Sequence, residues 1–426
     1  MEENYLHYLW KSKRFDNSKL KLIDGREVEV INVGWHNNDA GPDFFNGTIK
    51  IEGIVWTGNI ELHVKSSDWF AHKHHLDDAY NNVILHVVYL FDKRVKVETR
   101  NLPTLELKNL IDFDHYRNYE NMLSTEVSKP CEKSLKNIGQ TIDQQIQLSF
   151  FQRMERKGLE LTAVAKSQKL NQYKVVLYAI AQALGGRLNK SPMQELLTKL
   201  PVLVLYKERW DKNRIKALVF GVAGFLDNVD TDYQLMLKDS WNLLRRKHDL
   251  VSMRRSSWKF KGVRPHSFPT RRLAEFAEII LKISTGSLKF GEIDEVNSSI
   301  EHIFSFELDE FWEYHFTFSK STKSKQKLAA SKTTKDLIVI NAIAPYLIYR
   351  KHLLSEHKND ELILELFSEI PAENNNITKQ WTQLGVSINN AIDSQGLIEL
   401  NNEFCIFRKC LSCEVGKSIL ENNEQV

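Results

Sequence analysis

Two short stretches carry residues suited to hydrolytic chemistry. Gly41-Pro42-Asp43-Phe44 puts a carboxylate at a turn leading into an apolar run, and Glu61-Leu62-His63-Val64-Lys65 follows eighteen residues after Asp43. On a strand, alternate side chains share a face, so Glu61, His63 and Lys65 project together while Leu62 and Val64 face the other way. Two carboxylates meeting beside a base and an ammonium are what a Mg²⁺- or Mn²⁺-dependent phosphodiesterase uses. Hard oxygen ligands hold the ion, which polarises the phosphate and lowers the pKa of a bound water. A Lys or His orients that water or offsets developing charge. Asp43 and Glu61 are the expected metal ligands, and His63 or Lys65 the expected water-positioning group. Asp39, Asp68, His72, His74, His75, Asp77, Asp78 and His86 crowd the same region, more polar chemistry than a solvated strand face needs.

The elements that must position these residues read as helix, three strands, short helix, strand. An amphipathic helix is expected over Glu3 to Arg14, with Tyr5, Leu6, Leu9 and Trp10 on its buried side. Strands are expected at Val28–Val33, Thr48–Val55, Asn59–Val64 and Val83–Phe91, with a last one at Leu102–Leu107. Turn signals at Asp24-Gly25, Gly41-Pro42, Gly53 and Gly58 separate them, and residues 69–82 suit a short helix.

Pro42-Asp43 followed by Glu61-x-His63-x-Lys65 resembles the PD-(D/E)xK nuclease superfamily. That resemblance implies a restriction-endonuclease-like α/β core over about 90 residues, metal on Asp43 and Glu61, and an auxiliary acid from the first helix, Glu2 or Glu3. The family's Lys stands two residues after the second carboxylate. Here that position is His63, and the Lys arrives at Lys65. The chain as a whole resembles a bacterial family of domains of unknown function through GPDF, WTGNIELHVKSSDW, HKHH with LHVV, RPHSFPTRRL and the Cys-rich tail.

The histidines allow another chemistry. His63, His72, His74 or His75, and His86 are imidazoles of the kind that bind Zn, Fe, Ni or Cu, which would make a His-ligated hydrolase or oxygenase acting on a small molecule. No H-E-x-x-H is present.

Arg245 to Arg272 holds ten Lys/Arg against one acid, Asp249, with Trp258, Phe260 and Phe268 interleaved. Cations neutralise phosphates and exposed rings stack on unpaired bases. Arg254, Arg255, Trp258, Lys259, Lys261 and Arg264 are therefore the expected nucleic-acid contacts. The six-Lys run over 320–335 reads as an exposed loop.

Three of the four cysteines fall at Cys405, Cys410 and Cys413, and the fourth, Cys131, follows a Pro. Together they make a Cys₄ set suited to Zn or an iron–sulfur cluster. Some PD-(D/E)xK nucleases join a distant Cys to a C-terminal Cys trio around such a cluster. In that pattern the lone Cys precedes the nuclease motifs, whereas Cys131 follows them. Arg408 and Lys409 flank the trio and favour thiolates.

The remaining composition narrows the class. The chain has 426 residues with 58 Lys+Arg against 55 Asp+Glu, a balance that excludes a polybasic arm or an acidic tail as the organising feature. Four cysteines do not make a disulfide scaffold. No apolar run approaches the roughly 18–20 residues of a helical membrane span, and MEENYLHYLW lacks the pattern of a signal peptide, so a cytoplasmic protein without membrane contact is expected. No phosphate loop, dinucleotide fingerprint or nucleophile elbow is present. Gly221-Val222-Ala223-Gly224 reads as a packing contact.

The expected architecture is a restriction-endonuclease-like α/β domain over 1–125, a helical domain over 126–345 bearing the basic aromatic segment, and a C-terminal helical segment over 346–426 with the Cys cluster. The expected function is metal-dependent cleavage of nucleic acid. The alternatives are a non-catalytic nuclease-fold module binding nucleic acid or protein, and the His-ligated enzyme.

Overall fold

The computed structural model describes residues 1–37, 39–124, 129–132, 139–286, 288–354 and 359–421. The chain divides into two units: Met1–Gln145 together with the chain from Asn401 on, and Ile146–Leu400. The mixed α/β region followed by a helical one is as the sequence pattern indicates. The boundaries differ from the three-part expectation, because the Cys-bearing tail belongs to the first unit and the helices from 346 to 400 share the core of the second.

Unit 1 is built on one sheet. Helix α1 (Glu3–Lys11) precedes β1 (Val28–Asn32), β2 (Trp35–His36), β3 (Phe44–Ile51) and β4 (Ile54–Lys65). A one-turn helix α2 (Asp68–Ala71) then leads to β5 (Val83–Leu90), a ribbon of β6 (Lys96–Val97) and β7 (Arg100–Asn101), and β8 (Thr104–Glu106). The sheet runs β1-β3-β4-β5-β8, with β2 paired to β3. β1, β3 and β4 are antiparallel, while β5 lies parallel to β4 and β8 parallel to β5. Leu6 and Trp10 of α1 pack with Phe44, Ile60, Leu62, Leu85 and Val87 in the main core of this unit. Alternation along β4 puts Ile60 and Leu62 into that core and turns Glu61 and His63 the other way, toward Trp69.

Of the two expected turn signals Gly53 and Gly58, only Gly53 lies in the β3–β4 turn. Glu52 (φ 48°) and Gly53 (φ 85°) supply the two left-handed residues that a tight type I′ turn demands. Gly58 lies inside β4, where a Cβ would stand 2.8 Å from the Asn82 carbonyl oxygen. β4 is therefore twelve residues long and reaches the parallel partner β5 with its C-terminal half.

Unit 2 is helical. Helix α3 (Phe113–Ser124) belongs to unit 1 and α4 (Gly139–Ser167) enters unit 2 at Ile146; α5 (Gln172–Lys199), α6 (Val202–Glu208), α7 (Lys212–Val222), α8 (Asp232–Lys247) and α9 (Pro269–Thr285) follow in unit 2. The helical run Lys332–Leu354 is long and apolar enough to cross a membrane by length and composition, contrary to the expectation that no run reaches that length; most of it is buried in unit 2. Apolar runs such as Val175–Leu184 and Ile215–Val222 form its core.

One ion-pair cluster ties α6, α7 and α8. The buried Glu208 carboxylate accepts from Lys247 (2.6 Å), Arg214 (2.8 Å) and His248 (2.9 Å). Burial opposes its charge, but these hydrogen bonds outweigh burial and hold its pKa down to about 2. A depressed carboxylate pKa adds stability above its unfolded value near 4.5 and loses it as pH falls toward 2. Glu208→Gln is expected to lower stability at pH 7 by roughly 1–3 kcal/mol, with half-exposed Lys247 and Arg214 keeping the effect modest. Denaturation midpoints should also fall less between pH 5 and about 3 in the variant than in the wild type.

Candidate metal centre

Both candidate carboxylates are placed by irregularities in the sheet. Between Phe44 and Gly47 the β3–β4 register shifts by one residue, with Asn46 at φ 54°. A second shift separates Asn59 and Ile60 on the β4–β5 side. Bulges bend a strand and re-aim its side chains. Gly47 serves the first bulge, since a Cβ there would sit 2.3 Å from Ile60 Cδ1.

Asp43 and Glu61 come together at this point. The Asp43 backbone N–H donates to Glu61 Oε2 (3.0 Å), and the Leu62 backbone N–H donates to Asp43 Oδ2 (2.9 Å). His7 on α1 brings its Nε2 within 3.3 Å of Asp43 Oδ2. Burial opposes charge on His7, but the hydrogen bond and charge of Asp43 outweigh it and raise its pKa. Burial, and next the charge of Asp43, push the Glu61 pKa up to about 9. Without a cation the pair holds a proton at neutral pH.

Four histidines line the other side of Glu61. His63 Nε2 lies 3.7 Å and His74 Nε2 3.2 Å from Glu61 Oε1. His63 also joins a ring chain, its Nδ1 2.8 Å from His86 Nε2 and its Nε2 3.1 Å from His72 Nδ1. His63, His72 and His74 are the one set among the described residues whose metal-ligating atoms all lie within 4.8 Å of one another. The left-handed Lys73 (φ 63°) turns the chain so that His72 and His74 both face His63. His75 stays exposed and contacts Phe70, so His74 is the member that reaches the site. Burial, then the neighbouring imidazoles, press the His63 pKa down to about 2; burial, then His74, bring His86 to about 3. Both rings are neutral at physiological pH, the state in which imidazole binds metal. Trp69 and Tyr80 are buried against these rings, Tyr80 stacking on His74 at 3.9 Å.

Two sequence candidates fall elsewhere. Lys65 is exposed and its charge acts on Asp92, whose carboxylate accepts from Ser66 and Ser67. Glu2 accepts from the Tyr119 hydroxyl (3.4 Å), whereas Glu3 feels the charges of His7, Asp43 and His72 and is the first-helix acid at this site. Sequence reasoning missed His7. Its spacing from Glu3, four residues on one helix, puts both on the same face and was the available signal.

All four cysteines are free and couple electrostatically: the Cys131 thiol feels Cys405, Cys413 and Cys410. Burial, then the other thiols, push Cys405 and Cys410 up to about 12. Lys129 and Arg408 act on Cys405 and Cys410 respectively, while Lys409 lies over the Phe407 ring.

In the basic segment, Arg254, Arg255, Lys259, Lys261 and Arg264 are exposed. Trp258 corrects the expectation: it is buried and its indole N–H donates to the Ala223 carbonyl oxygen (2.9 Å), so it packs the unit 2 core and offers no face for stacking. Arg271 and Arg272 are also buried, bound to the Trp312 carbonyl and to Glu275.

No curated protein and no solved structure matches the chain. A family model described as "Protein of unknown function (DUF2851)" matches residues 3–376, a span that takes in GPDF, the β4 motif, the histidines and the basic segment but stops short of the Cys405–Cys413 trio. By that match the chain belongs to this family.

Proposed function

We propose that unit 1 is a metal-dependent phosphodiesterase acting on nucleic acid. The observation that carries this reading is the side-by-side placement of Asp43 and Glu61, at the start of β3 and on β4, with a ring nitrogen of His63 within 3.7 Å of the second carboxylate. The order helix, three antiparallel strands, short helix, parallel strand agrees with what the PD-(D/E)xK resemblance implies.

The donor set fits a divalent ion: two adjoining carboxylates and neutral imidazoles, with the buried His86 Nδ1 making no hydrogen bond among the described residues. Three imidazoles beside a carboxylate suit Mn²⁺ or Zn²⁺ better than Mg²⁺. The bound ion would supply Lewis acidity toward the phosphate and a more acidic water. Asp43 and Glu61 would hold it, and His63 takes the position the superfamily gives to Lys. His86, hydrogen-bonded to His63, fixes that ring's tautomer and direction. The exposed Arg254, Arg255, Lys259, Lys261 and Arg264 would supply phosphate contacts.

The test is cleavage of single- and double-stranded DNA and RNA with Mg²⁺, Mn²⁺ or Zn²⁺ in turn. Cleavage that depends on added metal supports the reading; a folded, metal-loaded chain that cuts none of the four substrates contradicts it. A second reading, a His-ligated hydrolase of small molecules, is favoured by the convergence of His63, His72 and His74. It predicts metal-dependent turnover of an activated small ester with no nucleic-acid cleavage.

The four thiols would hold an iron–sulfur cluster or Zn. Elemental analysis of anaerobically purified protein should find iron or zinc, and Cys131→Ser should lose it. Equal metal in the two proteins would contradict the assignment.

A further inference from the structure

Unit 2 holds a cavity of about 730 Å³ between α4, α5 and the helical run near Asn341. Its volume lies in the range of small-molecule sites. Arg153, Arg156, Lys157, Arg187 and Lys190 line it, with Glu160 the only acid among the lining residues. Glu399 accepts from Arg153 (2.9 Å) and Arg156 (2.7 Å), and Arg156 also reaches Glu160 (2.8 Å). Among the described residues Lys157 pairs with no carboxylate: its ammonium donates to the Asn341 side-chain oxygen (2.8 Å). Arg187 and Lys190 are exposed at the rim and make no ion pair among the described residues.

Backbone irregularities converge on the same cavity. α5 breaks at Gly186 (φ 54°, ψ −156°), a conformation open essentially to glycine, and this break puts Arg187 and Lys190 at the rim. Asn341 sits within a π-helical turn, Val339–Ile343, a rare element that gathers at functional sites. Burial, then the charge of Arg153, bring the Lys157 pKa down to about 7, and the nearby Glu373 and Glu399 only partly offset this. Five basic side chains thus line the cavity beside one acid, Glu160, with Glu399 paired to Arg153 and Arg156. Tyr178, Leu161 and Pro345 form an apolar wall beside them.

We infer that this cavity binds a phosphate-bearing small molecule, its phosphate between Lys157, Arg187 and Lys190 and its apolar or ring portion against Tyr178. The inference rests on unit 2 alone and is independent of the centre on β3 and β4.

The test is calorimetric titration of the full chain with inorganic pyrophosphate and with adenosine 5′-monophosphate. Both should bind. Lys157→Met, and separately Arg187→Ser with Lys190→Ser, should weaken binding by roughly tenfold or more. The rim pair is exposed, so its loss leaves folding intact. At pH 8, where adenosine 5′-monophosphate is already fully ionised, its binding should take up protons in the wild type, seen as heat that varies with the buffer's ionisation enthalpy, and should not in Lys157→Met. Pyrophosphate binding alone would retain the phosphate assignment and identify an inorganic source. No heat at millimolar ligand, affinity unchanged in both variants, or binding only by an oligonucleotide would overturn it.

Discussion

Glu61→Gln and Asp43→Asn should each lower metal-dependent cleavage by at least roughly 100-fold while leaving the fold intact. Each replacement keeps the side-chain volume and the hydrogen bond each carboxylate accepts from the other's strand, but removes a charge the ion requires. Glu61 carries an internal control. Its pKa is raised from an unfolded value near 4.5 to about 9, so the folded state binds the extra proton and loses relative stability as pH rises from 4.5 through 9. Gln is permanently neutral. In chelator, the Tm of Glu61→Gln at pH 8 should therefore match or exceed that of the wild type, and the stabilisation that wild type gains from Mn²⁺ should be absent. A variant that cleaves normally would remove Glu61 from the site. One that loses activity together with several degrees of Tm would make its role structural.

Gly224→Ala should destabilise unit 2 by roughly 3 kcal/mol or more. α7 ends in a Schellman motif: the Phe225 N–H donates to the Phe220 carbonyl (2.9 Å) and the Gly224 N–H to that of Gly221 (3.1 Å). Gly224 takes φ 78°, and a Cβ there would stand 2.2 Å from the Met253 carbonyl oxygen. The obstacle is backbone and cannot swing aside, because the Met253 N–H is itself bonded to the Val222 carbonyl (2.7 Å). Chemical denaturation followed by Trp fluorescence would register the loss. A change under 1 kcal/mol would mean the α7–α8 turn is not held as described.

Local periodicity carried most of the first unit. Strand alternation at Glu61-Leu62-His63 put Leu62 in the core and Glu61 and His63 on the other face, because a residue's face depends only on parity once the strand is known. Lys65, the last residue of β4, is exposed, and its charge acts on Asp92. Gly53 and Gly58 look alike in sequence, so both read as turn signals although only Gly53 forms the turn. Only pairing distinguishes a residue needing positive φ from one needing room for Asn82. Trp258 was read from its basic neighbours, yet an indole seeks burial and one hydrogen bond, and the Ala223 carbonyl supplied it. His7 left only its four-residue spacing from Glu3 as a signal, and the Lys157 cavity depends on contacts between distant segments, which spacing along one chain does not encode.

The most direct test of the central claim is diffraction from a crystal soaked in Mn²⁺ and measured at the manganese absorption edge. An anomalous peak is expected about 2.0–2.3 Å from carboxylate oxygens of Asp43 and Glu61, with a histidine ring nitrogen completing the set. An occupied peak elsewhere, with none between Asp43 and Glu61, would contradict it.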